Sequence, residues 1–308
     1  MLLSDLLLEY AYDNIARGHT EKTLINKKQE FKQLQKFLHE KRAITQIESI
    51  TTHDLKAYIR HKQQQGLQPQ SIVSMAKIIK AFFNWCVIEE YLTANPMDKV
   101  LLPKVPKKVL SGFTPEEVTK MIDSFSYKNY IEARNKTIIA LLSDCGLRSM
   151  ELRGLKNHDV TETSILVNGK GNKQRIVFIS PVLKKFLLKY ERIKKEHFEK
   201  RLVKSDHYFL TYKAEQMSHV ALFQLVKEAG RRAGIEGKRV SPHVFRHFYT
   251  VQTLNSGTID LYSLSKLLGH SQVSTTQRYL ASMTDEELEI KAMTSSPLSN
   301  LNKNKRRN

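Results

Sequence analysis

Between Asn95 and Gly112 the chain carries three prolines, Pro96, Pro103 and Pro106, and a series of lysines, but no helical period of apolar residues. Proline cannot continue a helix and drives the residue before it out of helical conformation. Such a stretch reads as an extended basic linker beginning where Asn95-Pro96 ends a helix. It cuts the 308-residue chain into two parts, each long enough to bury its own core. The expected organisation is a domain over residues 1–95, a linker over 96–112, a second domain over 113–294 and a disordered basic tail over 295–308.

The first part is helical in pattern. Leu3, Leu6, Leu7 and Tyr10 open an amphipathic segment running to about Gly18. Thr20 is the expected cap of a second, with Leu24, Phe31, Leu34, Phe37 and Leu38 at helical spacing. Thr51 or Thr52 starts a third around Leu55, Tyr58 and Ile59. Ser71 precedes a fourth with Ile72, Met75, Ile78, Ile79, Phe82, Phe83 and Cys86. The opposite faces hold Lys27, Lys28, Lys32, Lys36, Arg60, Lys62, Lys77 and Lys80, nearly all of one sign, as a surface facing phosphates would.

The second part opens on Thr114-Pro115-Glu116-Glu117, a capping box with proline at the first helical position. A helix containing the apolar run Ile138 to Leu142 ends at Gly146. Two strand-like runs, 164–167 and 176–179, flank Asn168-Gly-Lys-Gly-Asn-Lys173, whose glycines and asparagines suit a tight hairpin. Helices are expected over 181–200, 217–233, 242–256, 260–269, 274–281 and 284–294. The fold class is therefore mainly α: a four-helix domain followed by an α+β domain with a small antiparallel hairpin sheet.

Fifty Lys and Arg against 31 Asp and Glu give a net charge of +19, an excess pointing to a polyanionic partner, nucleic acid before an acidic membrane or protein. Both cysteines, Cys86 and Cys145, fall in apolar helical patterns and read as buried thiols of a reducing compartment rather than a disulfide. No apolar run reads as a membrane span and no secretory leader is evident, so a cytoplasmic protein without membrane partners is expected.

Arg246, His270 and Tyr279 fall in one short stretch near the end, within Ser-Pro-His-Val-Phe-Arg-His (241–247), Leu-Leu-Gly-His-Ser (267–271) and Thr-Thr-Gln-Arg-Tyr (275–279). A phenol, histidines and an arginine on so basic a chain can attack a phosphodiester without a metal: Tyr279 as nucleophile, the cations holding the phosphate. Arg148, two residues after Gly146, can grip two phosphate oxygens from a fixed turn, or simply pair with Glu151 three residues on. Lys170 and Lys173 at the hairpin tip can protonate a departing 5′ oxygen, or only attract phosphate. Ser241 is a natural N-cap and Pro242 a natural first helical residue, so His243 shares a helix face with Arg246 near a positive helix end, or packs locally. Gly269 closes a helix before His270, and Ser274-x-x-Gln277 reads as another capping box. Taken alone, Tyr279 could equally be a core residue.

In this order and spacing the elements Gly-Leu-Arg-x-x-Glu-Leu, Gly-Lys-Gly-Asn-Lys, His-x-x-Arg-His, Leu-Leu-Gly-His-Ser and Thr-Thr-x-x-Tyr resemble the tyrosine recombinase (integrase) family, in its short Xer-like form. The likeness runs from about residue 2 to about residue 294, and the four-helix part resembles the family's SAM-like core-binding domain. The resemblance implies six catalytic residues: Arg148, Lys173, His243, Arg246, His270 and Tyr279. Tyr279 would form a 3′-phosphotyrosyl link and Arg148 and Arg246 would bind the non-bridging oxygens. Lys173, preferred to Lys170, would be the general acid; His243 and His270 would help move the tyrosine proton, and Glu151 would orient the arginines. No cofactor and no metal are implied. The implied partner is double-stranded DNA with inverted-repeat sites, held by a homotetramer on two sites, a related subunit being an alternative. Residues 284–294 would then pack into a neighbouring protomer. Cys145 stands where the family often has threonine, and Val244-Phe245 replaces a more usual polar-Leu pair. Two other readings stay open: a type IB topoisomerase-like enzyme, and a non-catalytic DNA-binding protein on the same fold.

Overall fold

The computed structural model describes residues 1–106, 112–169, 173–270 and 272–280, the last three as backbone only. The chain forms two units, Met1–Lys108 and Val109–Asn308.

The first unit contains α1 (Leu3–Ala16), α2 (Glu21–Arg42), α3 (Thr52–Gln64) and α4 (Pro69–Ile88). The apolar positions at helical spacing are the ones buried: Leu3, Leu6 and Tyr10 on α1, Phe31, Leu34, Phe37 and Leu38 on α2, Leu55, Tyr58 and Ile59 on α3. The centre is aromatic. Phe82 lies 5.4 Å from Tyr10 and 5.3 Å from Phe31, ring centre to ring centre, and each such burial contributes about 1.5–3 kcal/mol. On composition α4 is apolar and long enough to cross a membrane. Eight of its residues, from Ile72 to Cys86, are buried in this core, so its apolarity is accounted for by packing.

Several local expectations shift. The fourth helix starts two residues before Ser71, because Pro69 fits the first helical position and Gln68 takes the extended cap conformation. It ends at Ile88, well before Asn95-Pro96, and Glu90 adopts a left-handed φ of 62°. Asn95 instead organises a turn, donating to the Asn84 side chain and accepting from the Met97 N–H. Met97 and Val100, expected in the linker, are buried in the first unit's core. Lys62 is not on a phosphate-facing surface: it is buried, bonded to Gln33 and stacked over the Tyr58 ring. Lys27 is partly buried against Asn14 and Tyr10. Thr20 stands at the N-cap of α2 but its hydroxyl pairs with Thr23 Oγ1 instead of a backbone N–H.

The second unit is built on α6 (Tyr130–Cys145), whose Ile138, Ile139, Leu141 and Leu142 are fully buried. A run apolar on all sides, as 138–142 is, belongs inside a core, and α6 packs against α8 (Pro181–Phe198) and α10 (Pro242–Asn255). Around it lie α5 (Pro115–Asp123), α7 (Ser149–Gly154), α9 (His219–Arg232), α11 (Leu261–Leu268) and α12 (Ser274–Leu280). Thr114 and Glu117 form the expected capping box at 2.8 and 3.2 Å. The hairpin pairs β1 (Ser164–Asn168) with β2 (Gln174–Phe178), Ile165 opposite Val177 and Val167 opposite Arg175. The second strand starts two residues earlier than its apolar run suggested, and the alternation turns Arg175 and Val177 inward while Ile176 and Phe178 face solvent. Lys170, residues 284–294 and the tail lie outside the described residues.

Gly146 ends α6 at a φ of 56°, and a Cβ there would lie 2.4 Å from Cδ1 of Tyr249. Both the backbone and the space exclude a side chain. Gly146→Ala should therefore lower stability by about 1–3 kcal/mol, read as a lower denaturant midpoint; an unchanged midpoint would contradict this account of the turn.

Candidate active site

Arg246 on α10 is 3% exposed. A guanidinium cannot shed its charge, so burial demands acceptors. Nη1 donates to the Gly146 carbonyl at 2.7 Å, and Nη2 donates to the Leu268 carbonyl at 2.7 Å and to His270 Nε2 at 2.9 Å. Two helix ends, those of α6 and α11, therefore converge on one arginine.

His270 follows Gly269, which closes α11 at a φ of 65°. Because Nε2 accepts from Arg246, the ring proton sits on Nδ1, which donates to Thr276 Oγ1 at 2.8 Å. Burial, and then the charges of Arg246, Arg148 and Arg175, hold the imidazole at about 4, against which Glu151 is a smaller opposing influence. His270 is thus neutral at pH 7. Thr276 is buried in α12, and Tyr279 lies three residues further, one turn along the same helix side. The described residues give the backbone position of Tyr279. α12 begins at Ser274 itself, with Val273 accepting from the Thr276 and Gln277 N–H groups, so Ser274 is a helical residue and not the expected cap.

Arg148 precedes α7. Its backbone N–H donates to Glu151 Oε2 at 2.8 Å, its Nη1 to Oε1 at 2.8 Å, and its Nη2 to the Gly269 carbonyl at 3.0 Å. The pairing with Glu151 exists, yet it is no ordinary surface pair, since the Glu151 side chain is 3% exposed while Arg148 keeps 38% exposure. Arg175 fills the other side of the carboxylate, with Nη1 to Oε1 at 2.7 Å and Nη2 to Oε2 at 2.8 Å, and its Nε donates to the Leu267 carbonyl at 2.8 Å. Burial alone would raise the Glu151 carboxyl; the bonds and charge of Arg175, then Arg148, outweigh it and hold it at about 2. Arg175 was invisible to motif reading. The available signal was strand alternation: it sits two residues after Lys173, on the same strand face as Val177.

His243, in the first turn of α10, is exposed, and its imidazole is lowered by partial desolvation and by Arg246 and Arg239. Ser241 is the N-cap residue by position, but its hydroxyl is buried and makes no cap bond. Lys173 is exposed at the hairpin mouth, its carbonyl accepting from the Gly169 N–H at 2.8 Å. A Cβ on Gly169 would lie 3.9 Å from Glu151 Oε1, which places this end of the hairpin beside the carboxylate. Two guanidinium groups, of Arg148 and Arg175, therefore share one carboxylate while a third, of Arg246, bonds His270, leaving a positive, partly desolvated centre suited to an anion. Among the described residues no group of three His, Cys, Asp or Glu is placed to hold a metal.

The lowered imidazole has a consequence for stability. Between about 4 and the ordinary value of 6.5 the unfolded chain binds a proton at His270 that the folded chain does not. Its contribution is thus present above pH 6.5 and lost as pH falls toward 4. Melting temperature should drop over that window in the wild type and drop less in His270→Gln; equal slopes would contradict the assignment.

A family model described as the phage integrase family matches residues 112–286, and one described as the phage integrase SAM-like domain matches residues 5–101. The chain is 30% identical over 256 residues to tyrosine recombinase XerC of Caldanaerobacter subterraneus subsp. tengcongensis, covering 82% of this chain and 70% of that protein. It is 27% identical over 270 residues to tyrosine recombinase XerD of Halalkalibacterium halodurans, covering 87% and 89%. Its fold matches that of a XerH site-specific recombinase bound to a palindromic difH substrate, with a TM-score of 0.72 at 20% identity over 91% of this chain and 82% of that one. It also matches the Tn1549 transposon integrase in complex with transposon right end DNA, with a TM-score of 0.70 at 19% identity over 96% and 99%. With one family model on the positive centre and the other on the aromatic four-helix core, the chain belongs to the phage integrase family and is a tyrosine recombinase, a site-specific DNA recombinase that breaks and rejoins strands.

Proposed function

We propose that strand cleavage runs through six residues of this chain: Arg148, Lys173, His243, Arg246, His270 and Tyr279. The phenolic oxygen of Tyr279 attacks the phosphorus, the bond from phosphorus to O5′ breaks, and a 3′-phosphotyrosyl link forms. Lys173 gives a proton to the departing O5′, and the phenol proton leaves by way of the histidines. Arg148 and Arg246 hold the non-bridging oxygens. Religation is the reverse step with another strand's 5′ hydroxyl, so the bond energy is kept in the link. The observation that carries this reading is the convergence of Arg148, Arg246 and a neutral His270 at the ends of α6 and α11, with α12 tied to His270 through Thr276.

In this reading residues 113–294 are the catalytic domain and residues 1–95 the core-binding domain. The protein works in the cytoplasm on double-stranded DNA with inverted-repeat sites, as a homotetramer spanning two sites, for integration and excision of a mobile element or for resolution of dimers. The charge of +19 supports a polyanionic partner. Nothing in the site favours the topoisomerase-like or the non-catalytic alternative.

Tyrosine identity is the decisive test, because Tyr249 also lies in this region, its ring against Gly146 and its phenol raised chiefly by burial. A pool of nicked duplexes of randomised sequence should give a detergent-resistant protein–DNA adduct with the wild type. Tyr279→Phe should give none, Tyr249→Phe a normal yield, and Arg246→Lys a rate lowered on the order of 100-fold or more. An adduct that persists in Tyr279→Phe defeats the proposal.

A further inference from the structure

Arg175 ties the hairpin to two other parts of the site, the Glu151 carboxylate and the end of α11. It lies on β2, two residues after Lys173, and its side chain is 11% exposed. Both Nη atoms hold the Glu151 carboxylate and Nε holds the Leu267 carbonyl. Glu151 in turn holds the backbone N–H and guanidinium of Arg148, and Leu267 sits three residues before His270. The fit is close: a Cβ on Gly269 would lie 3.0 Å from Cδ of Arg175 and 3.3 Å from its Nη1. A side chain at Gly269 would press on the guanidinium where it reaches the carboxylate and the carbonyl.

We infer that Arg175 is a positioning residue for strand cleavage, fastening the hairpin that carries Lys173 to the Glu151–Arg148 pair and to the turn that carries His270. The inference rests on the roles proposed above for those three residues. Three of its five N–H groups are spent on Glu151 and Leu267, so the role assigned to Arg175 runs through these partners. Its planar fork is what the position demands, because it spans two carboxylate oxygens and a carbonyl in fixed directions. A lysine keeps the charge opposite Glu151 but has one nitrogen for the three acceptors.

Full-length Arg175→Lys, assayed on a nicked duplex that the wild type cleaves, tests this. Expected is a melting temperature and a duplex affinity close to wild type, with single-turnover cleavage at saturating protein slowed at least tenfold. A contribution to folding alone would lower the melting temperature and leave the rate per folded molecule unchanged. Wild-type cleavage rate in folded Arg175→Lys overturns the inference, as does an affinity loss that accounts for the whole defect. If Arg175→Lys does not fold, the pair Arg175→Gln with Glu151→Gln leaves no buried charge behind; slow cleavage by it supports the inference and wild-type cleavage overturns it. Absence of any adduct with the wild type would instead defeat the reading on which the inference rests.

Discussion

The last carbonyls of a helix have no partner within it and carry the negative end of its dipole. Here two such ends are turned to one use. The Gly146 carbonyl closing α6 and the Leu268 carbonyl closing α11 both accept from the guanidinium of Arg246, which is 3% exposed. Each helix is stopped by a glycine in left-handed conformation, with φ of 56° at Gly146 and 65° at Gly269. Each stop delivers a site residue almost at once: Arg148 two positions after the first, His270 one position after the second. Placing Arg246 therefore places the turns that carry Arg148 and His270. The packing of α6 against α10 fixes all three relative to the core.

The same contacts determine the electrostatics. Carbonyl dipoles satisfy the hydrogen bonds of Arg246 without cancelling its charge. Glu151 is the carboxylate of the cluster, and it is shared between Arg148 and Arg175. The excess positive charge shows in the imidazole of His270, which burial and three arginines keep neutral. A phosphate entering this centre would meet donors already oriented by bonds to the scaffold, so little reorganisation would accompany the reaction.

What the sequence disclosed follows from how local each signal is. The Thr114–Glu117 box, the glycine stops at 146 and 269 and the helical spacing around Phe82 are set by neighbours within one or two turns, and the structure repeats them. Which face a side chain takes in a five-residue strand is not local. Ile176, Val177 and Phe178 suit either face, and only packing on β1 and α11 turns Arg175 inward. Lys62 misled for a related reason: its ammonium finds Gln33 and the Tyr58 ring inside the unit, partners that no charge pattern announces. The Ser274 cap failed because Val273 already supplies the carbonyl that starts the turn.

His270 joins the buried arginine to the last described helix. Its Nε2 accepts from Arg246, and its Nδ1 donates to Thr276 on the helix of the proposed nucleophile. A proton arriving at His270 can enter only at Nε2, which would end the bond from Arg246 and repel that guanidinium. The Nδ1 bond to Thr276 would survive, since Nδ1 is the donor in both states. Gaining a proton thus changes the side of the ring that faces the arginines while leaving α12 anchored. An anion bridging Arg246 and a protonated His270 would restore the lost contact, so occupancy by phosphate and protonation of His270 favour each other.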